Sequence, residues 1–110
     1  MEAKGHKMKS KLTRDYHEDL IESLKDPKEA QAYLDAALEE GEERLFLKAL
    51  RNVAEAKGGL GKAAVKTKLN RESLYKMLSD NGNPKLTSLE ALLDYFDLRL
   101  SVQRKTLAKG

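Results

Sequence analysis

Arg71, Glu72, Ser73, Tyr75 and Lys76 form a polar run interrupted only by Leu74, and the chemistry they offer is recognition rather than bond breaking. A guanidinium can hydrogen-bond a guanine edge in a bidentate way, a hydroxyl can serve a base or a phosphate, and an ammonium is drawn to phosphate. To enter a major groove, such groups must stand on the outward face of one short helix, with Arg71 and Ser73 in its first turn and Lys76 a turn further on. Tyr75 has two readings of equal standing: its ring packs across that face, or its hydroxyl touches a phosphate. Lys62 and Lys66 suit phosphate contacts better than base reading. The candidate DNA contacts are therefore Lys62, Asn70, Arg71, Glu72, Ser73, Tyr75 and Lys76. Taken singly, Arg71 and Lys76 would be ordinary solvated charges, and only the motif around them favours DNA.

Other chemistries find little support. Cysteine is absent, which removes disulfides, thiolate metal sites and cysteine nucleophiles together. His6 and His17 are too far apart in pattern to suggest a metal site. The adjacent Glu42 and Glu43 face different directions at a helix start, where capping explains them better than catalysis. No nucleotide-binding glycine loop or nucleophile elbow occurs, so neither enzyme activity nor a cofactor is expected. No apolar run exceeds three residues, far below a membrane span or a signal-peptide core, and a cytoplasmic protein is expected.

The charge distribution points the same way as the polar run. Residues 59–86 carry six Lys or Arg against two Asp or Glu, whereas residues 27–58 carry five against seven. A local positive excess can act on a polyanion even when the net charge of the chain is only +3.

The elements that must position these residues are helices. Charged residues make up 35% of the 110-residue chain and aromatics 5%, with Leu and Ala supplying most of the apolar side chains, which disfavours a β-sandwich. Residues 1–12 hold no apolar period and read as a disordered arm, 13–103 as one helical domain, and 104–110 as a tail. Tyr16, Leu20 and Leu24, with Ile21 beside them, predict a first helix opened by a capping box at Asp15 and Glu18. Asp26-Pro27 predicts a second start, with Ala30, Tyr33, Leu34, Ala37 and Leu38 inward and Gly41 ending it. Leu45, Phe46, Ala49, Leu50, Val53 and Ala54 make the widest apolar stripe and predict the central helix, broken at Gly58-Gly59. Thr87 to Glu90 predicts a last capped helix that buries Leu89, Leu92, Leu93 and Phe96. Leu98, Leu100 and Val102 alternate with polar residues, which predicts a short C-terminal strand paired with another chain or an N-terminal segment.

Between the third and last helices lie two short segments, Gly61 to Thr67 and Arg71 to Leu78, joined by only three residues. That connection forces a steep crossing, the geometry of a helix-turn-helix over 60–78. Ala63 and Ala64 permit close approach, Leu69 plugs the turn, and Leu74, Met77 and Leu78 fasten the second helix. One short recognition helix reads few base pairs, so a homodimer on paired half-sites is expected.

Leu24-Lys25-Asp26-Pro27, Ala32-Tyr33-Leu34, Phe46-Leu47-Lys48-Ala49-Leu50-Arg51, Arg71 through Lys76, Gly82-Asn83-Pro84 and Leu98-Arg99-Leu100 together carry a family resemblance. From about Asp15 to Val102 the chain resembles the probable addiction-module antidote proteins, HigA-like antitoxins with a Cro/C1 (XRE) type helix-turn-helix. The resemblance implies an all-α, lambda-repressor-like bundle. It also implies an antitoxin that represses its own operon by binding double-stranded operator DNA and neutralises a RelE/HigB-type ribonuclease toxin. A stand-alone XRE-type regulator and a helical protein-interaction module are the alternatives. Where the class has a glycine able to take a positive φ, this chain has Lys68, and keeping the same backbone would cost about 1 kcal/mol.

Overall fold

The computed structural model describes residues 15–105. The expected arm over 1–12 and residues 106–110 of the expected tail lie outside them. The described residues begin in helix α1, residues 15–23. Asp15 is itself helical, so it does not cap this helix as its spacing with Glu18 suggests.

The next helix, α2 (Pro27–Glu39), starts as Asp26 predicts. Asp26 is extended and its carboxylate accepts from the Lys28 N–H at 3.0 Å, while proline fills the first helical position, where no N–H is needed. Gly41, at φ +78°, turns the chain out of it. Glu42 then occupies the N-cap of α3 (Glu43–Ala56) without a side-chain hydrogen bond, so Glu42 and Glu43 favour this end only through the helix dipole. At the far end Gly58 and Gly59 take φ +111° and +99°, and their N–H groups bond the carbonyls of Glu55 and Ala54. Two short helices follow, α4 (Leu60–Thr67) and α5 (Arg71–Met77), and then α6 (Leu86–Tyr95). The start of α6 falls before Thr87, with Lys85 at an uncapped N-cap, so the capping box expected at Thr87 does not form.

The core is built around α3. Leu50, Val53 and Ala54 are fully buried, and Leu24, Ala30, Leu34, Ala63, Leu74, Leu78, Leu92 and Phe96 close over them. Each such Leu is worth about 2 kcal/mol of burial, and alanines at 54 and 63 let backbones approach where larger side chains would not fit. α2 packs on one side of α3 and α4 on another, while α4 also contacts α5 and α6. Because α3 is enclosed on several sides, its buried arc extends beyond the stripe seen in the sequence, to Leu47, Asn52 and Ala56.

Three residues expected inward are instead exposed: Tyr16 at 73%, Leu38 at 54% and Leu45 at 39%. Periodicity identifies a helix face, but whether that face is covered depends on how far the neighbouring element reaches. The predicted strand, which called for a partner from another chain or an N-terminal segment, is not seen. Among the described residues there is no strand, and residues 98–105 carry no regular structure. Strand spacing forms a strand only beside a second strand that completes the ladder, and none of the described residues supplies one. Among the described residues, no helix is long and apolar enough to cross a membrane.

Polar ties distant in sequence fasten the helices. Asn52, 9% exposed, donates its amide to the Tyr33 hydroxyl at 2.7 Å across the contact of α2 with α3. The Tyr95 hydroxyl donates to the Lys57 carbonyl at 2.9 Å, closing the end of α3 from α6. Arg51 of α3 donates to the Leu78 carbonyl just past α5, and its other nitrogen lies 3.5 Å from Asp80. His17 lies 3.3 Å from Glu55 and so joins α1 to α3; His6 is outside the described residues.

Candidate nucleic-acid interface

Two short helices can cross steeply only if the turn between them bends sharply without leaving polar groups stranded. Thr67 answers the second need: its hydroxyl donates to the Ala63 carbonyl at 2.7 Å and accepts from the Leu69 N–H at 3.3 Å. Lys68 answers the first, in the left-handed region at φ +63°, ψ +21°. The chain thus keeps the glycine-type backbone with a lysine in it, and Leu69, half-buried, packs on the core. Asn70 then starts α5, with its side-chain oxygen accepting from the Ser73 N–H at 2.9 Å. Leu74, 1% exposed, and Leu78, fully buried, fix the inner face of α5, and Arg51 holds its C-terminal end.

With that inner face fixed, Arg71, Glu72, Ser73, Tyr75 and Lys76 are all exposed. The structure gathers four of them into two groups, Arg71 with Tyr75 and Ser73 with Lys76, and places Glu72 in neither. The Arg71 guanidinium lies over the Tyr75 ring, 5.5 Å from its centre, and rests against Gly61, where a side chain's Cβ would stand 3.8 Å from the guanidinium carbon. That stack extends the planar, bidentate group along the seam of α4 and α5 while leaving both residues open to solvent. Arg71 has no ion pair among the described residues.

On the other side, Asn70, Ser73 and Lys76 border a groove of about 510 Å³ between α5 and the start of α6. Asn83, Lys85 and Lys68 also line it. Spacing within α5 could not have found these last three, although Lys68 and Lys85 belong to the basic 59–86 window, which was the available signal. Gly82 permits the tight approach: a Cβ there would fall 2.0 Å from the Met77 carbonyl oxygen. Three lysines around one groove favour an anionic occupant, and Asp80, one of the two acids in the window, is turned to Arg51 instead.

Two candidates fit less directly. Asn70 has committed its side-chain oxygen to the helix start, which leaves its amide nitrogen for an outside acceptor. Lys62 is exposed, but its stem lies over Gly58 at the junction with α3, where an added Cβ would meet it at 2.7 Å, so it is not gathered with the α5 residues. Among the described residues, no group of three or more His, Cys, Asp or Glu side chains could hold a metal ion.

Comparison with known proteins adds a family. A family model described as probable addiction module antidote protein matches residues 15–104, nearly all of the described chain. A protein of Haemophilus influenzae (strain ATCC 51907 / DSM 11121 / KW20 / Rd), described as uncharacterized, is 33% identical over 90 residues, covering 82% of this chain and 92% of its own length. No solved structure matches the chain.

Proposed function

The chain belongs to the probable addiction module antidote family, and we propose that it is the HigA-like antitoxin of a type II toxin–antitoxin module. In this reading it is a cytoplasmic homodimer without enzymatic activity that represses its own operon. It also neutralises a RelE/HigB-type toxin. The single observation that carries the DNA-binding half is the outward face of α5, where Arg71, Ser73, Tyr75 and Lys76 are exposed on a helix whose other face is pinned by Leu74 and Leu78. The three-residue turn through the left-handed Lys68 supports a Cro/C1 (XRE) type, lambda-repressor-like arrangement for the DNA-binding part.

Arg71 supplies the planar donor pair that suits guanine, while Lys68, Lys76 and Lys85 suit the flanking phosphates. Because α5 has only seven residues, specificity requires a second half-site and therefore a second copy. A gel shift with the DNA upstream of its own gene tests this. Wild type should bind that sequence selectively, and Arg71→Ala should relax the preference by about 1–3 kcal/mol at one base pair. Binding by wild type that is salt-sensitive but blind to sequence would overturn the operator assignment.

A further inference from the structure

A second surface lies between α2 and the segment that follows α6, and none of its residues comes from α4 or α5. The groove there measures about 620 Å³. Its floor is apolar, with Leu34 and Leu93 buried and Phe46 half-buried. Leu38 stands at its edge, 54% exposed, on the face of α2 that periodicity turns inward. Opposite, Asp97 takes φ +65° and turns the chain out of α6, and the Leu98 N–H bonds the Leu93 carbonyl at 2.8 Å, which directs Leu100 to the same groove. Leu100 is 41% exposed there.

The charges around this apolar floor are unbalanced. Asp35 and Glu39 lie one turn apart on α2 and Asp97 joins them in the lining, against Arg99 as the one cation there. A second copy docking here about a two-fold axis would set two patches of net negative charge against each other, because an isologous contact presents the same patch twice. A cationic partner gains from those acids, and its large apolar side chains can fill the floor.

We propose that this groove is the docking site for the toxin, through a segment carrying an apolar anchor flanked by Lys or Arg. The proposal rests on the antitoxin reading above. Since it shares no residue with the α5 interface, it lets the protein hold toxin and DNA through separate surfaces.

The test uses the full chain and the protein encoded by the adjacent gene, with affinity measured by calorimetry. Wild type should bind, more weakly as salt rises from about 50 to about 300 mM. The double substitution Asp35→Lys with Glu39→Lys should weaken binding by about tenfold or more while leaving the base preference in the operator gel shift unchanged. Leu38→Ser, at an exposed position, should weaken it independently, with circular dichroism confirming the fold of both variants. If the partner binds wild type and both variants equally, the groove assignment fails while the antitoxin reading stands. If it does not bind wild type, both fail. One other result would also overturn the assignment: a change in oligomeric state alone, with toxin binding unaffected, would give the groove to a second copy.

Discussion

Lys68 is held at φ +63° at the point where the chain must bend between α4 and α5. An L-residue pays about 1 kcal/mol for that conformation relative to glycine. The same residue lines the groove beside α5, where its ammonium adds to those of Lys76 and Lys85. Strain and charge therefore meet at one position, a combination expected where a binding surface constrains a backbone. Lys68→Gly should raise the unfolding free energy by about 1 kcal/mol in urea denaturation and lower DNA affinity in the gel shift. A variant that is both no more stable and equally tight would contradict the roles given to this residue.

At the scale of the element, α5 has seven residues, too few to be stable by itself. What holds it is the Asn70 cap at one end, Leu74 and Leu78 beneath it, and the donation from Arg51 to the Leu78 carbonyl at the other. The last tie comes from α3 and spans 27 residues of sequence. A hydrogen bond to a charged group contributes about 1.5–3 kcal/mol, so Arg51→Ala should lower stability by about that amount. Because the lost tie is local to α5, amide exchange should quicken there more than in α2, as hydrogen-exchange mass spectrometry can measure. Uniform acceleration across all helices would show that Arg51 supports the fold generally rather than this helix.

The whole molecule is electrically lopsided in a way that its small net charge hides. The basic window 59–86 contains α4, α5 and the start of α6, and the acidic window 27–58 contains α2 and α3. The basic stretch is suited to a polyanion and the acidic stretch to a cationic partner. Under the repressor reading, each lysine that neutralises a phosphate steepens the salt dependence of binding by about 0.9 in log–log slope. Lys85→Ala should therefore reduce the slope for operator DNA by about one per copy while leaving base preference intact. An unchanged slope would place Lys85 outside the contact surface.

The local features of this protein could be read from residues close together in the chain. Asp26-Pro27 starts α2, the paired glycines end α3, and the apolar spacing of Leu50, Val53 and Ala54 marks the central helix, because caps, breaks and helical faces depend on neighbours within a few positions. The three-residue bend between α4 and α5 and the exposed set on α5 were legible for the same reason, whereas the left-handed backbone at Lys68 was implied only by the family resemblance. The tertiary structure alone decided what depends on distant partners. It joined Tyr33 to Asn52, Lys57 to Tyr95 and Arg51 to Leu78, and separated Arg71 with Tyr75 from Ser73 with Lys76. It also left Leu38 uncovered and 98–102 without a partner strand among the described residues, since a periodic pattern specifies which face seeks a partner but cannot supply the partner.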